Sequence, residues 1–242
     1  MADPSTLGLA MDSLAAQGVR RVAVVRLFLD GRSFLHQTEY FLGLRGDPPA
    51  ELLLHSHGGG HAHGASHDGS HEGPGPLRHP LTVALSEKGL MEADAVGGIL
   101  ASGVRALSVA PADESVLVLA HGTGDDAENA RWIEAMEHHA GALRALGFHA
   151  VRVETLREDW PGPRAEAERR IRSFVEAETR AGRTVLVAPF RLFGFGPYRE
   201  VLEGLTYRAA EAGLLPHESI TSWIDAQYRS VVAREGWENP TP

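Results

Sequence analysis

The sequence contains no cysteine, and this absence removes a large class of sites. Without cysteine among its 242 residues, the chain forms no disulfide, thiolate metal site or cysteine-ligated iron–sulfur cluster. It has no apolar run near the ~18–20 residues of a membrane span, and no basic stretch followed by an apolar one, as a signal peptide has. The net charge is -9 with histidine neutral, which disfavours nucleic-acid binding. We expect a cytoplasmic protein that binds neither nucleic acid nor membrane.

Runs rich in Val and Leu predict buried parallel strands, because continuous apolar runs are typical of strands covered on both faces. The strong strands are predicted at 21–29, 115–120 and 184–190, and weaker ones at 81–86 and 149–156. Between them, apolar residues recur at the three- and four-residue spacing of one helix face in 126–146 and 164–180. Alternation of strands and helices predicts an α/β fold with parallel sheets.

Two segments of the chain are similar to each other. Residues 18–44 (GVRRVAVVRLFLDGRSFLHQTEYFLGL) and 182–205 (GRTVLVAPFRLFGFGPYREVLEGL) share a Val-rich strand, a Gly-containing loop, a Glu and a final Gly-Leu. Glu39 matches Glu200. The similarity predicts an internal duplication; the alternative is a general likeness between α/β segments.

The duplication divides the chain into two doubly wound halves, 1–110 and 111–242. The second half opens with a strand, a helix and a strand, for which the first half has no counterpart. We therefore expect the first half to be truncated at its N-terminus, by roughly 40 residues on analogy with the second. The alternative is a first half that was always short.

The sequence VLVLAHGTGDD (116–126) places His121 directly after a predicted buried strand. Ligands of open α/β sheets bind outside the carboxyl ends of the strands, so His121 is a candidate binding residue. The alternative is a histidine that ends the strand and bonds a backbone group. His36 likewise follows a strand, with Glu39 three residues later on the same helix face. In the second copy, Pro197 and Glu200 occupy these positions, and the alternative for both glutamates is solvated surface charge.

The motifs LAHGTGDD, VVRLFLDGRSFLHQTE and VAPFRLFGFGPYRE together resemble the class II tetrapyrrole chelatases, most closely the sirohydrochlorin cobalto- and ferrochelatases of the CbiX type. The resemblance covers nearly the whole chain. It implies two chelatase-like halves that insert a divalent metal ion, Co²⁺ or else Fe²⁺ or Ni²⁺, into sirohydrochlorin or a related tetrapyrrole, for cobalamin or sirohaem synthesis. It implies no organic cofactor; the metal ion is a substrate.

The resemblance also implies site residues. His121 matches the metal-binding histidine of the family, and His36 aligns with the histidine of its GGHVRE motif. Glu200 aligns with the acidic residue beside that histidine, and Glu154 with a carboxylate of some cobalt chelatases. These residues form the expected metal site, with the first three catalytic. Imidazole binds these ions less tightly than a thiolate does, and it can accept a proton at physiological pH. The expected substrate contacts are Gly122, Thr123, Arg32, Arg191 and Arg199; ordinary surface arginines are the alternative for the last three.

A low-complexity segment at about 50–80 contains HSHGGGHAHGASHDGSH (55–71) and is predicted to be a disordered insertion. It could store or deliver metal, act as a passive linker, or respond to pH. Glycine-rich chain fixes no catalytic geometry, so we expect an auxiliary metal store rather than an active site. Its ligands would be His55, His57, His61, His63, His67 and His71.

A second function class fits the same sequence. A degenerate chelatase scaffold with an incomplete first half could be a non-catalytic store or carrier of cobalt or nickel. Pairing of two chains into a homodimer is one way to cover the sheet edge that a missing segment would expose.

Overall fold

A computed structural model describes residues 3–50, 52 and 75–237, and these form two compact units. The first unit comprises 3–26, 31–50, 52, 75–88 and 226–237, and the second comprises 27–30 and 89–225. The halves 1–110 and 111–242 were predicted from similarity between two segments of the sequence, and the boundary between them stays a prediction. The two compact units divide the chain at other points. Among the described residues, no helix is long and apolar enough to cross a bilayer.

The first unit contains a two-stranded parallel sheet. Its elements are α1 (Pro4–Ala16), β1 (Arg21–Val24), α2 (Leu35–Phe41) and β2 (Thr82–Leu85). Asp3 caps α1, because its carboxylate accepts the backbone N–H groups of Ser5 and Thr6 at 3.2 and 3.1 Å. Met11 and Leu42 pack with the apolar side chains of β2 in one buried cluster.

The strand predicted at 21–29 is shorter in the structure. β1 ends at Val24, and residues 27–30 belong to the second unit. There the backbone N–H of Leu90 donates to the carbonyl of Phe28 at 2.9 Å. One apolar run therefore serves two units, which local hydrophobicity alone does not reveal.

The second unit is a four-stranded parallel sheet in the order β4–β3–β5–β6. Its elements are α3 (Ala95–Arg105), β3 (Glu114–Ala120), α4 (Asp126–Arg144), β4 (Ala150–Thr155), α5 (Pro161–Arg180), β5 (Thr184–Phe190), α6 (Tyr198–Val201) and β6 (Arg208–Ala209). The last helix, α7 (Glu218–Arg234), begins in this unit and ends in the first. The α/β class with parallel sheets is confirmed.

β3 is one of the two inner strands of this sheet, and all of its residues are buried. Val116, Val118 and Ala120 pack in one cluster with α3 and α4, whereas Leu117 and Leu119 pack in another with α5. The register pairs Ala120 with the last residues of both neighbouring strands, Thr155 and Phe190. The loops that follow β3, β4 and β5 therefore start at the same edge of the sheet.

The two similar segments also share an order of elements. In each, a helix ends at a left-handed glycine, Gly18 (φ +79°) or Gly182 (φ +81°), before a strand. A short helix and a second left-handed glycine follow, Gly43 (φ +71°) or Gly204 (φ +77°). This order is compatible with duplication, which stays a prediction.

Candidate active site

His121 is the first residue after β3, where the chain turns toward α4. The turn requires glycine at the next position, because Gly122 has φ +78° and a Cβ there would lie 2.7 Å from Cβ of Thr155. The imidazole Nδ1 lies 2.8 Å from the Gly122 carbonyl oxygen. Since a carbonyl oxygen only accepts hydrogen bonds, Nδ1 carries the proton. About a third of the His121 side chain (32%) is exposed.

Two carboxylates face the other imidazole nitrogen. Nε2 of His121 lies 3.2 Å from Asp159 Oδ2 and 3.9 Å from Glu158 Oε2. With the proton on Nδ1, Nε2 of a neutral imidazole holds a lone pair, and negative charge faces it. A cation between the nitrogen and the carboxylates, either a proton or a metal ion, stabilises this arrangement.

Arg157 joins the loop after β3 to the loop after β4. Its Nε donates to the Thr123 carbonyl at 2.7 Å, its Nη1 to Asp126 at 2.6 Å, and its Nη2 to the Gly124 carbonyl. The φ of Arg157 is +56°, a left-handed conformation that costs a side-chain-bearing residue about 1–2 kcal/mol. The three hydrogen bonds offset that cost and keep the two loops together.

Arg191 holds the Glu158 carboxylate through Oε1, whereas His121 faces Oε2. Arg191 follows β5, and only 11% of the Glu158 side chain is exposed. The Arg191 guanidinium lies over the ring of Tyr198, 5.6 Å from its centroid. Burial, together with the nearby Glu158 charge, raises the pKa of the Tyr198 hydroxyl. That hydroxyl faces Arg191 and Glu158 but forms a hydrogen bond of good geometry with neither. Glu158 is therefore fixed, whereas 72% of the Asp159 side chain is exposed.

The two glutamates predicted as partners of His121 have other surroundings. Glu200 is exposed on α6, and no hydrogen bond or ion pair joins it to His121 in the described chain. Glu154 is only 6% exposed, and its carboxylate lies 2.6 Å from Arg152 Nη2 and 3.3 Å from Arg170 Nε. Both stay predictions as metal ligands, with Glu154 already paired to two cations.

His36 lies on α2 of the first unit, whereas His121 belongs to the second. The His36 Nδ1 is 3.0 Å from Glu39 Oε2, and 57% of the His36 side chain is exposed. The spacing of three residues thus predicted this pair. Whether His36 acts together with His121 stays a prediction. The six histidines of the low-complexity segment lie outside the described residues.

The predicted substrate contacts are divided between the units. Gly122, Thr123 and Arg191 lie at the same sheet edge as His121, and the Thr123 hydroxyl donates to the Asp125 carbonyl at 3.0 Å. Arg199 is exposed and pairs with Glu211 at 2.6 Å. Arg32 is exposed in the first unit.

Sequence reasoning did not identify the sequence REDW (157–160). Arg157, Glu158, Asp159 and Trp160 all lie beside His121 or hold its loop, and the Trp160 ring is perpendicular to the imidazole at 5.9 Å. The available signal was their position directly after the strand predicted at 149–156. Among residues 3–50, 52 and 75–237, no group of three or more His, Asp or Glu side chains has the geometry of a metal site. His121 and Asp159 thus form an open pair.

No family model and no curated protein matches the chain. Among solved structures, SirB from Bacillus subtilis with Fe³⁺ aligns with 95% of this chain and 79% of its own, at TM-score 0.59 and 14% identity. The chain shares the fold of SirB. DR2241 from Deinococcus radiodurans, described as a multi-domain protein with structural similarity to chelatases, aligns over 90% of this chain and 42% of its own, at TM-score 0.48 and 20% identity.

Proposed function

We propose that the protein inserts a divalent metal ion, Co²⁺ or else Fe²⁺ or Ni²⁺, into sirohydrochlorin or a related tetrapyrrole. The observation that carries this proposal is the Nε2 of His121, which faces Asp159 and Glu158 at 3.2 and 3.9 Å while Nδ1 faces a carbonyl. The motif resemblance to class II chelatases supports the same function. So does SirB, which shares the fold and was determined with Fe³⁺.

An open ligand pair suits a metal ion that must leave the protein. In this proposal His121 and Asp159 hold the incoming ion, and Glu158 adds negative charge without leaving Arg191. Imidazole and carboxylate bind first-row divalent ions but leave most coordination positions to other donors. The macrocycle nitrogens can then replace the protein ligands one after another.

Insertion also releases two protons, because two pyrrole N–H groups are replaced by nitrogen–metal bonds. As the ion moves to the macrocycle, Nε2 of His121 regains its lone pair and can accept one proton. The exposed Asp159 carboxylate can accept or relay the other to solvent. The same groups thus serve first as metal ligands and then as proton acceptors.

The decisive assay is the absorbance change of sirohydrochlorin with Co²⁺. We expect the protein to accelerate insertion over the spontaneous rate and His121→Ala to lower the rate at least about 100-fold, the scale of losing an acid–base group. His138→Ala, the same change at an exposed position of α4, should keep the wild-type rate. Absence of acceleration in the wild type, with Co²⁺ still bound, would favour the storage or carrier alternative.

Asp159→Asn separates the roles of the two carboxylates. It removes the charge nearest Nε2, so we expect about tenfold weaker Co²⁺ binding with little change in stability. Asp113→Asn, at an exposed position outside the site, is the matched control. Both variants are compared with a parent chain in which the six histidines of 55–71 are Asn, so that Co²⁺ binding reports on the His121 site. Equal Co²⁺ affinity of that parent and its Asp159→Asn variant would exclude Asp159 as a ligand.

Two further variants test the remaining predicted ligands. Replacing all six histidines of 55–71 by Asn should lower the number of Co²⁺ ions bound while leaving turnover at saturating Co²⁺ unchanged; a complete loss of turnover would contradict an auxiliary store. His36→Ala should lower the insertion rate if His36 acts with His121. An unchanged rate would remove it from the site.

A further inference from the structure

Trp160 is a large aromatic residue left partly open beside His121. It follows β4 and is 37% exposed, although tryptophan is mostly buried on average. Arg157 fixes the loop that carries Trp160. The backbone N–H of Trp160 donates to the Arg157 carbonyl at 3.1 Å. An exposed aromatic ring on a fixed loop beside a candidate active-site residue is typical of ligand contact rather than core packing.

Gly124 sets the position of the indole. A Cβ at Gly124 would lie 2.2 Å from Nε1 and 2.5 Å from Cδ1 of Trp160, so the ring lies directly against the glycine backbone. The φ of Gly124 is outside the left-handed region. The glycine is therefore needed for the space that the indole occupies and not for its own backbone conformation.

The angle between the two rings suits a flat ligand. The Trp160 and His121 rings are at 88° to each other. A planar molecule stacked parallel to the indole would therefore stand at a right angle to the imidazole plane. An imidazole that points to the centre of a macrocycle has the same perpendicular relation to it, since its lone pair lies in its own ring plane.

A second exposed aromatic residue comes from the other side of β3. Phe193 is 66% exposed and follows β5, whereas Trp160 follows β4. Because β4 and β5 flank β3 in the sheet, the two rings come from the loops on either side of the His121 strand. This edge of the sheet thus carries apolar side chains next to the polar side chains of His121 and Asp159. Binding sites for small molecules combine the two in the same way.

We propose that Trp160 is the stacking platform that binds the conjugated macrocycle and sets it over His121. This inference rests on the proposed function, because it names the contact that the tetrapyrrole makes at that same site. The inference concerns how the macrocycle binds, so it can be tested in the absence of metal ions.

The test is a fluorescence and absorbance titration with metal-free uroporphyrin, a flat macrocycle with eight carboxylates, in the absence of metal ions. We expect Trp160→Ala to bind about tenfold more weakly, the usual effect of losing one stacking ring. Trp160→Phe keeps a flat ring and should retain affinity within about threefold of wild type. Leu9→Ala truncates an apolar side chain that is 72% exposed on α1 and should bind as the wild type does.

Gly124→Ala provides an independent variant, because it displaces the indole without deleting it. We expect about fivefold weaker binding from this displacement, with circular dichroism unchanged. Equal affinity of wild type, Trp160→Ala and Gly124→Ala would overturn the inference, as would no binding by the wild type.

The inference and the proposed function fail in different ways. Trp160-dependent porphyrin binding without any Co²⁺ insertion would leave the platform in place and reject the chelatase. Co²⁺ insertion by the wild type, with a porphyrin affinity that does not depend on Trp160, would support the chelatase and reject Trp160 as the stacking platform.

Discussion

Gly122→Ala is the change that most directly tests the loop carrying His121. A left-handed backbone costs an L-residue about 1–2 kcal/mol, and Gly122 has φ +78°. The new Cβ would also lie 2.7 Å from Thr155 Cβ and 2.8 Å from Asn129 Oδ1, and such overpacking adds about 1–3 kcal/mol. We expect a loss of about 3 kcal/mol, which lowers the melting temperature of a chain of this size by roughly 6–12 °C.

Gly141→Ala is the matched control, because the same substitution should have the opposite sign there. Gly141 is exposed within α4, and a Cβ at this position would meet no atom within 4 Å. Alanine is the better helix former, so we expect a gain of about 0.5–1 kcal/mol. Thermal unfolding of both variants, followed by circular dichroism, measures the difference. If Gly122→Ala melts with the wild type, or if both variants shift in the same direction, the argument from φ and contact distance is refuted.

Three further predictions follow from single groups. Tyr198→Phe removes a buried hydroxyl without a well-formed hydrogen bond, so we expect a gain of about 1 kcal/mol in unfolding free energy; a clear loss in denaturant titration would show that the hydroxyl is satisfied. Arg157→Lys loses the forked contacts between the two loops, so the insertion rate should fall at least about tenfold, and the melting temperature should fall as well, because nothing then offsets the left-handed backbone. The hydrogen bond from Arg183 holds the pKa of Glu178 below 4.5, so its stabilisation is present above that pH and lost as the pH falls through the folded-state pKa. Glu178→Gln should lower the melting temperature more at pH 7 than at pH 3, and exposed Glu176→Gln should lower it at neither pH.

The strands and helices could be predicted from local periodicity in the sequence. Where each strand ends, and which unit it joins, depends on contacts between segments that are distant in the sequence. The apolar runs at 115–120 and 184–190 are strands because both of their faces are covered. The run at 21–29 is also rich in Val and Leu, yet it is divided between the two units after β1 ends at Val24. Hydrophobicity along the chain predicts that a segment is buried, but it does not predict which core buries it.

The same limit explains why His121 was predicted and its neighbours were not. A histidine directly after a buried strand is visible in the sequence, because only the strand end must be known. Glu158 and Asp159, the carboxylates beside it, can be predicted only when two further facts are known. These are that β4 pairs with β3 and that Ala120 lies opposite Thr155. Given that register, residues 157–160 must begin at the edge where His121 lies. The glutamates at 154 and 200 were favoured by alignment to a motif, whereas sheet order and register bring Glu158 and Asp159 to the imidazole. The loops after β4 and β5, the two neighbours of β3, are therefore where partners of His121 are expected, and the loop after β4 contains REDW (157–160).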